Sequence, residues 1–192
     1  MNTGILALQG SFHEHSESLK LIGRRFTLIK SVEDLDSIDS LILPGGESTA
    51  MLKIQENNQL FNSIKNKIES GLPTLGTCAG LILLSSQDVL GKNTLNILDC
   101  EIERNGYGRQ NQSFEGMVEM FDFHEMYCFI RAPRIVSTGD NIEVIAKLDN
   151  EIVGVKSDNV VGLTFHPELT NDNFYLEWLK NFLMKGSDVR TF

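Results

Sequence analysis

The run from Gly71 to Ser85, Gly-Leu-Pro-Thr-Leu-Gly-Thr-Cys-Ala-Gly-Leu-Ile-Leu-Leu-Ser, constrains the fold around it most. It reads as a short apolar strand, a tight turn and an apolar helix, with Cys78 at the turn between Gly76 and Gly80. Gly-x-Cys-x-Gly in that setting is the thiol form of the nucleophile elbow, where a reactive side chain sits on a strained strand-to-helix turn. A sharp turn needs permissive backbone angles and leaves no room for side chains beside the nucleophile. A thiol at a helix N-terminus also meets the positive end of the helix dipole, which favours thiolate. The competing reading of this segment alone is a packing cysteine in an α/β core.

Two further segments bear on the choice. Phe165-His166-Pro167-Glu168 follows the apolar run Val160 to Thr164. Residues two apart share a face of an extended chain, so His166 and Glu168 can point the same way at a strand end. A thiol nucleophile needs a base, and the base needs an orienting carboxylate, so Cys78, His166 and Glu168 form a candidate triad. The bland reading is a surface histidine beside a Pro-Glu turn. The other segment is Leu41-Ile42-Leu43-Pro44-Gly45-Gly46-Glu47-Ser48-Thr49, a buried strand running into a Gly-Gly turn, with a helix expected to start near Ser48 or Thr49. Backbone N–H groups there, with that of Ala79, could form an oxyanion hole, and Gly46 is the candidate on the loop side. A plain strand-to-helix loop with a Ser or Thr cap is the alternative.

The chain of 192 residues fits one domain with a sizeable core, and the segment 185–192 is expected to be a mobile tail. The net charge of −9, without a basic cluster, argues against nucleic acid and anionic membrane as partners. No apolar run approaches the length of a membrane span, and the N-terminus lacks a signal-peptide pattern. Cys78, Cys100 and Cys128 are an odd number without metal-like spacing, which fits a reducing cytoplasm, and no metal or cofactor is expected. Cys100 and Cys128 read as packing residues in strands. His13 and His15 lie in a polar segment that reads as the beginning of a helix.

The first half alternates strand and helix. Strands are expected at Ile5 to Leu8, Phe26 to Ile29, Leu41 to Leu43 and Thr74-Leu75, with helices at His13 to Ile22, around Leu60, Ile64 and Ile68, and after Cys78. That alternation predicts an α/β fold with a mostly parallel central sheet and helices on both faces. The second half reads as strands at Leu95 to Arg104, Phe114 to Phe121, Tyr127 to Arg131, Ile142 to Leu148, Ile152 to Lys156 and Val160 to Phe165. Asp149-Asn150 predicts a hairpin turn, Met120 to Tyr127 reads as a variable loop, and Phe174 to Leu183 is a final amphipathic helix.

Taken together, these segments resemble class I glutamine amidotransferases, and within them the glutaminase subunits of pyridoxal 5'-phosphate synthases. The matching residues are Leu8-Gln9-Gly10, Leu43 to Thr49, Gly76 to Leu81, Glu103 to Gln110, Phe129-Ile130-Arg131-Ala132-Pro133 and Phe165 to Thr170. The resemblance implies a three-layer α/β/α sandwich of flavodoxin-like type. It implies hydrolysis of L-glutamine to glutamate and ammonia through a γ-glutamyl thioester on Cys78. Glutamine would be bound by Gly46, Glu47, Ser48, Arg104, Ile130 and Arg131, and an arginine fork suits a substrate carboxylate. The partner implied is a (β/α)₈-barrel synthase subunit in a large hetero-oligomer, and the chain would be classed both as a hydrolase and as a lyase.

Alternatives are a glutaminase subunit serving another acceptor synthase, a cysteine hydrolase of the same fold, and a scaffold that has lost catalysis. An intact Cys78, His166 and Glu168 speaks against the last.

Overall fold

The computed structural model describes residues 1–46, 59–88, 94–107 and 113–185. The helix start anticipated at Ser48 or Thr49, the Gly108-Arg109-Gln110 segment and the tail beyond residue 185 lie outside the described residues.

The chain runs through β1 (Asn2–Leu6), α1 (Phe12–Leu21), β2 (Arg25–Ile29), β3 (Ser40–Leu43), α2 (Gln59–Glu69), β4 (Thr74–Thr77) and α3 (Ala79–Leu84). It continues through β5 (Ser85–Asp88), β6 (Leu98–Glu103), β7 (Ser113–Met120), β8 (Phe123–Ile130), β9 (Arg134–Thr138), β10 (Glu143–Leu148), β11 (Glu151–Ser157), β12 (Val160–Leu163) and α4 (Asn173–Lys185). Nine strands form one sheet in the order β2-β1-β3-β4-β12-β11-β10-β7-β8, and β5, β6 and β9 form a second.

The large sheet is mixed, which corrects the expectation of a mostly parallel one. The pairings from β2 across to β12 are parallel, and those from β12 across to β8 are antiparallel. The burial pattern follows this division. β3, β4 and β12 are buried at every residue, as central parallel strands covered on both faces must be. β7 alternates exposed and buried residues, as a strand with one wet face does.

Alternation along the central strands feeds two apolar clusters on opposite faces. Leu41 and Leu43 pack with Leu60, Phe61, Ile64 and Ile68 of α2 and with the apolar residues of α3. Ile42, Leu75, Val161 and Leu163 pack with Leu19 of α1 and with Tyr175, Trp178, Leu179 and Phe182 of α4. Trp178 and Phe182, one turn apart, stack with centroids 5.3 Å apart. Asp172 caps α4 by accepting the N–H of Tyr175 at 2.8 Å, and its other oxygen accepts the Tyr127 hydroxyl.

Two further differences have local causes. Met120 to Tyr127 is a hairpin rather than a loop: β7 and β8 pair from Ser113↔Ile130 to Met120↔Phe123, and Phe121 turns the chain at φ 54°. Phe123, His124 and Met126 within it are exposed, as on a solvent-facing part of a strand. β9, absent from the sequence reading, pairs with β6 although only Ile135 of it is buried. The hairpin at Asp149-Asn150 forms as expected, with Leu148 opposite Glu151.

Candidate active site

The carboxyl ends of β1, β3, β4 and β12 meet at one place, the usual ligand position in an open parallel sheet. Cys78 follows β4 at φ 49° and ψ −104°, a conformation rare for a residue with a side chain, and is the cap residue of α3. Its N–H is bonded to the Leu163 carbonyl at 2.8 Å and its carbonyl accepts the N–H of Ile82, so both flanks hold the turn. The glycine at position 80 is a packing requirement, because a Cβ there would lie 1.9 Å from the Leu43 carbonyl oxygen. The elbow therefore presses directly against the end of β3.

His166 follows β12 and is tied by its N–H to the Cys128 carbonyl at 2.9 Å. Its Nδ1 lies 2.8 Å from Glu168 Oε1. Pro167 opens a 3₁₀ turn over Pro167–Leu169, which brings the two side chains round to the same side. Phe165, stacked on Tyr127 with centroids 4.8 Å apart, anchors the segment beneath. Both Cys78 and His166 are 6% exposed, enough to reach a small molecule, while Glu168 is fully enclosed.

The electrostatics follow from this packing. Burial would lower the pKa of His166, but hydrogen bonds to Cys78 and Glu168 and their charges raise it to about 10. Burial would raise that of Glu168, but His15 and the hydrogen-bonded His166 hold it at about 2. Glu168 is thus an anion and His166 is disposed to hold a proton. Burial pushes the Cys100 thiol up to about 12, and burial together with Glu115 raises that of Cys128. Both are poor thiolates away from the elbow.

A cavity of about 420 Å³ opens over Cys78 and His166. Of the sequence-predicted residues, Gly46, Ala79, Arg104, Ile130 and Arg131 also line it. Cys78 Sγ donates to the Ile130 carbonyl at 3.7 Å. Glu47 and Ser48 lie outside the described residues. The cavity is wide enough for an amino-acid amide, and Arg104 and Arg131, which line it, are of a side-chain type that suits a carboxylate.

The sequence reading did not name several residues as part of the site, Gly45 and Ile82 of the cavity wall among them. Ser11 lines the cavity and donates from Oγ to Glu168 Oε1 at 2.9 Å. Asn105 lines it too. His15, read as part of a polar helix start, is fully buried with Nε2 3.4 Å from Glu168 Oε1. Its place three residues before Ser18 and four before Leu19, both buried, was the signal available for an inward face. Among the described residues no group of His, Cys, Asp and Glu side chains is arranged to hold a metal ion.

The model of the SNO glutamine amidotransferase family matches residues 5–184. A protein of Thermosipho africanus named pyridoxal 5'-phosphate synthase subunit PdxT is 40% identical, over 96% of this chain and all of that one. A protein of Dictyoglomus turgidum with the same name is 46% identical, over 90% of this chain and 93% of that one. A crystal structure of a glutamine amidotransferase superposes with a TM-score of 0.89 at 37% identity, covering 96% of this chain and 98% of that one. The lyase class anticipated from sequence is corrected by these matches, since a glutamine amidotransferase subunit is not the part of a synthase to which a lyase class attaches. By the match along nearly its whole length, the chain belongs to the SNO glutamine amidotransferase family.

Proposed function

We propose that the protein hydrolyses L-glutamine to L-glutamate and ammonia, with Cys78 as nucleophile, His166 as base and acid, and Glu168 as the orienting carboxylate. The observation that carries this reading is the meeting of the Cys78 elbow with the His166–Glu168 pair in one cavity. Pairing of Nδ1 with Glu168 leaves Nε2 of His166 to face the thiol. His166 takes the thiol proton as Sγ bonds to the side-chain amide carbon. The oxyanion is held by the backbone N–H groups of Gly46 and Ala79. As the C–N bond breaks, the imidazolium gives its proton to the leaving nitrogen, and ammonia departs. A γ-glutamyl thioester remains. Water, deprotonated by His166, attacks it, and the thiolate is expelled with glutamate. Gly46, Glu47, Ser48, Arg104, Ile130 and Arg131 are the proposed glutamine-binding residues, the arginines taking the α-carboxylate.

The relatives named as pyridoxal 5'-phosphate synthase subunits support a destination for the ammonia in vitamin B6 synthesis. The proposed acceptor is a (β/α)₈-barrel synthase subunit in a large hetero-oligomer. The finer architecture proposed is a single glutaminase domain over 1–192, a three-layer α/β/α sandwich of flavodoxin-like type, and the two opposed apolar clusters support it. A cytoplasmic location is proposed, supported by three free cysteines. No helix among the described residues is long and apolar enough to cross a membrane.

The test is glutamate release from glutamine by the chain alone and with a pyridoxal 5'-phosphate synthase barrel subunit, with Cys78→Ala as control. Release that the partner stimulates and the substitution abolishes supports the reading. Release indifferent to the partner reassigns the acceptor, and release by Cys78→Ala removes the mechanism.

A further inference from the structure

A closed ring of polar contacts, all hydrogen bonds but one, runs behind the site. His15 Nε2 lies 3.1 Å from Thr77 Oγ1 and 3.4 Å from Glu168 Oε1. Thr77 Oγ1 accepts the N–H of Gly45 at 3.2 Å, and the Gly45 carbonyl accepts the N–H of Ser11 at 3.0 Å. Ser11 Oγ donates to Glu168 Oε1 at 2.9 Å, which closes the ring. It joins the segments following β1, β3 and β12 to the last residue of β4, immediately before Cys78.

The tautomer of His15 can be assigned. Its Nδ1 is buried without a hydrogen-bond partner among the described residues, whereas two oxygens lie within reach of Nε2. A buried N–H without an acceptor costs more than a bare lone pair, so Nε2 is the nitrogen that carries a proton. Complete burial lowers the pKa of the ring and His166 lowers it further, against Glu168 and Glu14, which raise it.

We propose that His15 is a positioning residue for glutamine hydrolysis: hydrogen-bonded through Nε2 to Thr77 and packed 3.4 Å from Glu168 Oε1, it holds the carboxylate against the end of β4, so that His166 is aimed at Cys78. This rests on the reading of Cys78, His166 and Glu168 as the catalytic groups.

The test compares His15→Leu, His15→Gln and Thr77→Val with the natural chain in glutamate release, in the presence of the synthase subunit, across pH. Cys78→Ala runs in parallel. Glutamine at position 15 can return a side-chain N–H near the Nε2 position, whereas leucine fills the space without a donor. His15→Leu is expected to lower kcat about 2- to 10-fold, the range set by one neutral hydrogen bond. KM stays within about twofold, because His15 does not line the cavity. The limb of the pH profile that belongs to His166 moves in His15→Leu, and His15→Gln restores both rate and limb. A natural kcat in His15→Leu, or a His15→Gln no better than His15→Leu, overturns the inference. If His15→Leu does not fold, Thr77→Val decides: it must lower kcat at unchanged KM, and an unaltered kcat overturns the inference. A silent Cys78→Ala beside an unimpaired His15→Leu removes this inference alone. An active Cys78→Ala removes the catalytic reading and this with it.

Discussion

His166 Nδ1 and Glu168 Oε1 stand 2.8 Å apart although only Pro167 separates them in the chain. The carboxylate has no exposed surface, and its Oε1 also accepts from Ser11. A short 3₁₀ turn after a buried strand therefore produces an oriented, ionised acceptor behind an imidazole.

Glu168→Gln keeps the shape of that acceptor and removes its charge. An amide can present its NH₂ to His166 and so favour the wrong tautomer. We expect kcat to fall about 10²- to 10⁴-fold, by analogy with a carboxylate-to-amide change behind a catalytic histidine. KM should change little, since Glu168 does not line the cavity. Steady-state kinetics of glutamate release measure both.

The two perturbed groups give stability a defined dependence on pH. His166 is raised to about 10, so its contribution is complete below its ordinary value of 6.5 and is lost as pH rises through 10. Glu168 is depressed to about 2, so its contribution is present above its ordinary value of 4.5 and is lost as pH falls through 2. Tm should decline from pH 7 to pH 10, and less steeply in Cys78→Ala, which lacks a hydrogen bond that raises the histidine. Thermal unfolding at a series of pH values tests this.

Gly45→Ala should damage the site more than the fold. A Cβ there would lie 2.3 Å from His166 Cε1 and 3.3 Å from Cys78 Cβ. The Gly45 backbone is held on both sides by Thr77 and Ser11, so the imidazole must move. Overpacking of this kind costs about 1–3 kcal/mol of stability. We expect kcat to fall more than tenfold in folded protein, measured by denaturant unfolding beside the glutaminase assay.

At the opposite end of the strands, Arg24 is buried and bonds Thr3, Asp39, Ser40 and the Leu183 carbonyl. Arg24→Met removes these four bonds, while Thr3, Ser40 and Asp39 keep others, and should cost about 2–4 kcal/mol, tempered because Asp39 is partly exposed. Its effect should appear in urea unfolding and leave kcat unchanged.

The sequence was most legible where local pattern and packing demand the same residue. The central strands read correctly because burial on both faces requires continuous apolar runs, as in Leu41-Ile42-Leu43 and Val160 to Leu163. The elbow was legible because Gly76 and Gly80 have no substitute beside backbone that close. The β7–β8 hairpin was less legible, because strands with one wet face carry polar residues that imitate a loop. His15 could not be read as part of the site. Its partners Thr77 and Glu168 are distant in sequence, and only the crossing of α1 over the strand ends brings them together. The mixed sheet was hidden for a similar reason, since strand pairing direction is set by connections rather than by the strands themselves.

The central claim is that Cys78 is the nucleophile, and covalent labelling tests it most directly. The protein would be treated with a glutamine-like diazoketone and the modified residue located by peptide mass spectrometry. The account predicts one adduct, on Cys78, suppressed by excess glutamine, with Cys100 and Cys128 unmodified. Glutamine hydrolysis that survives without label on Cys78, or a glutamine-protected label on Cys128 instead, would contradict it.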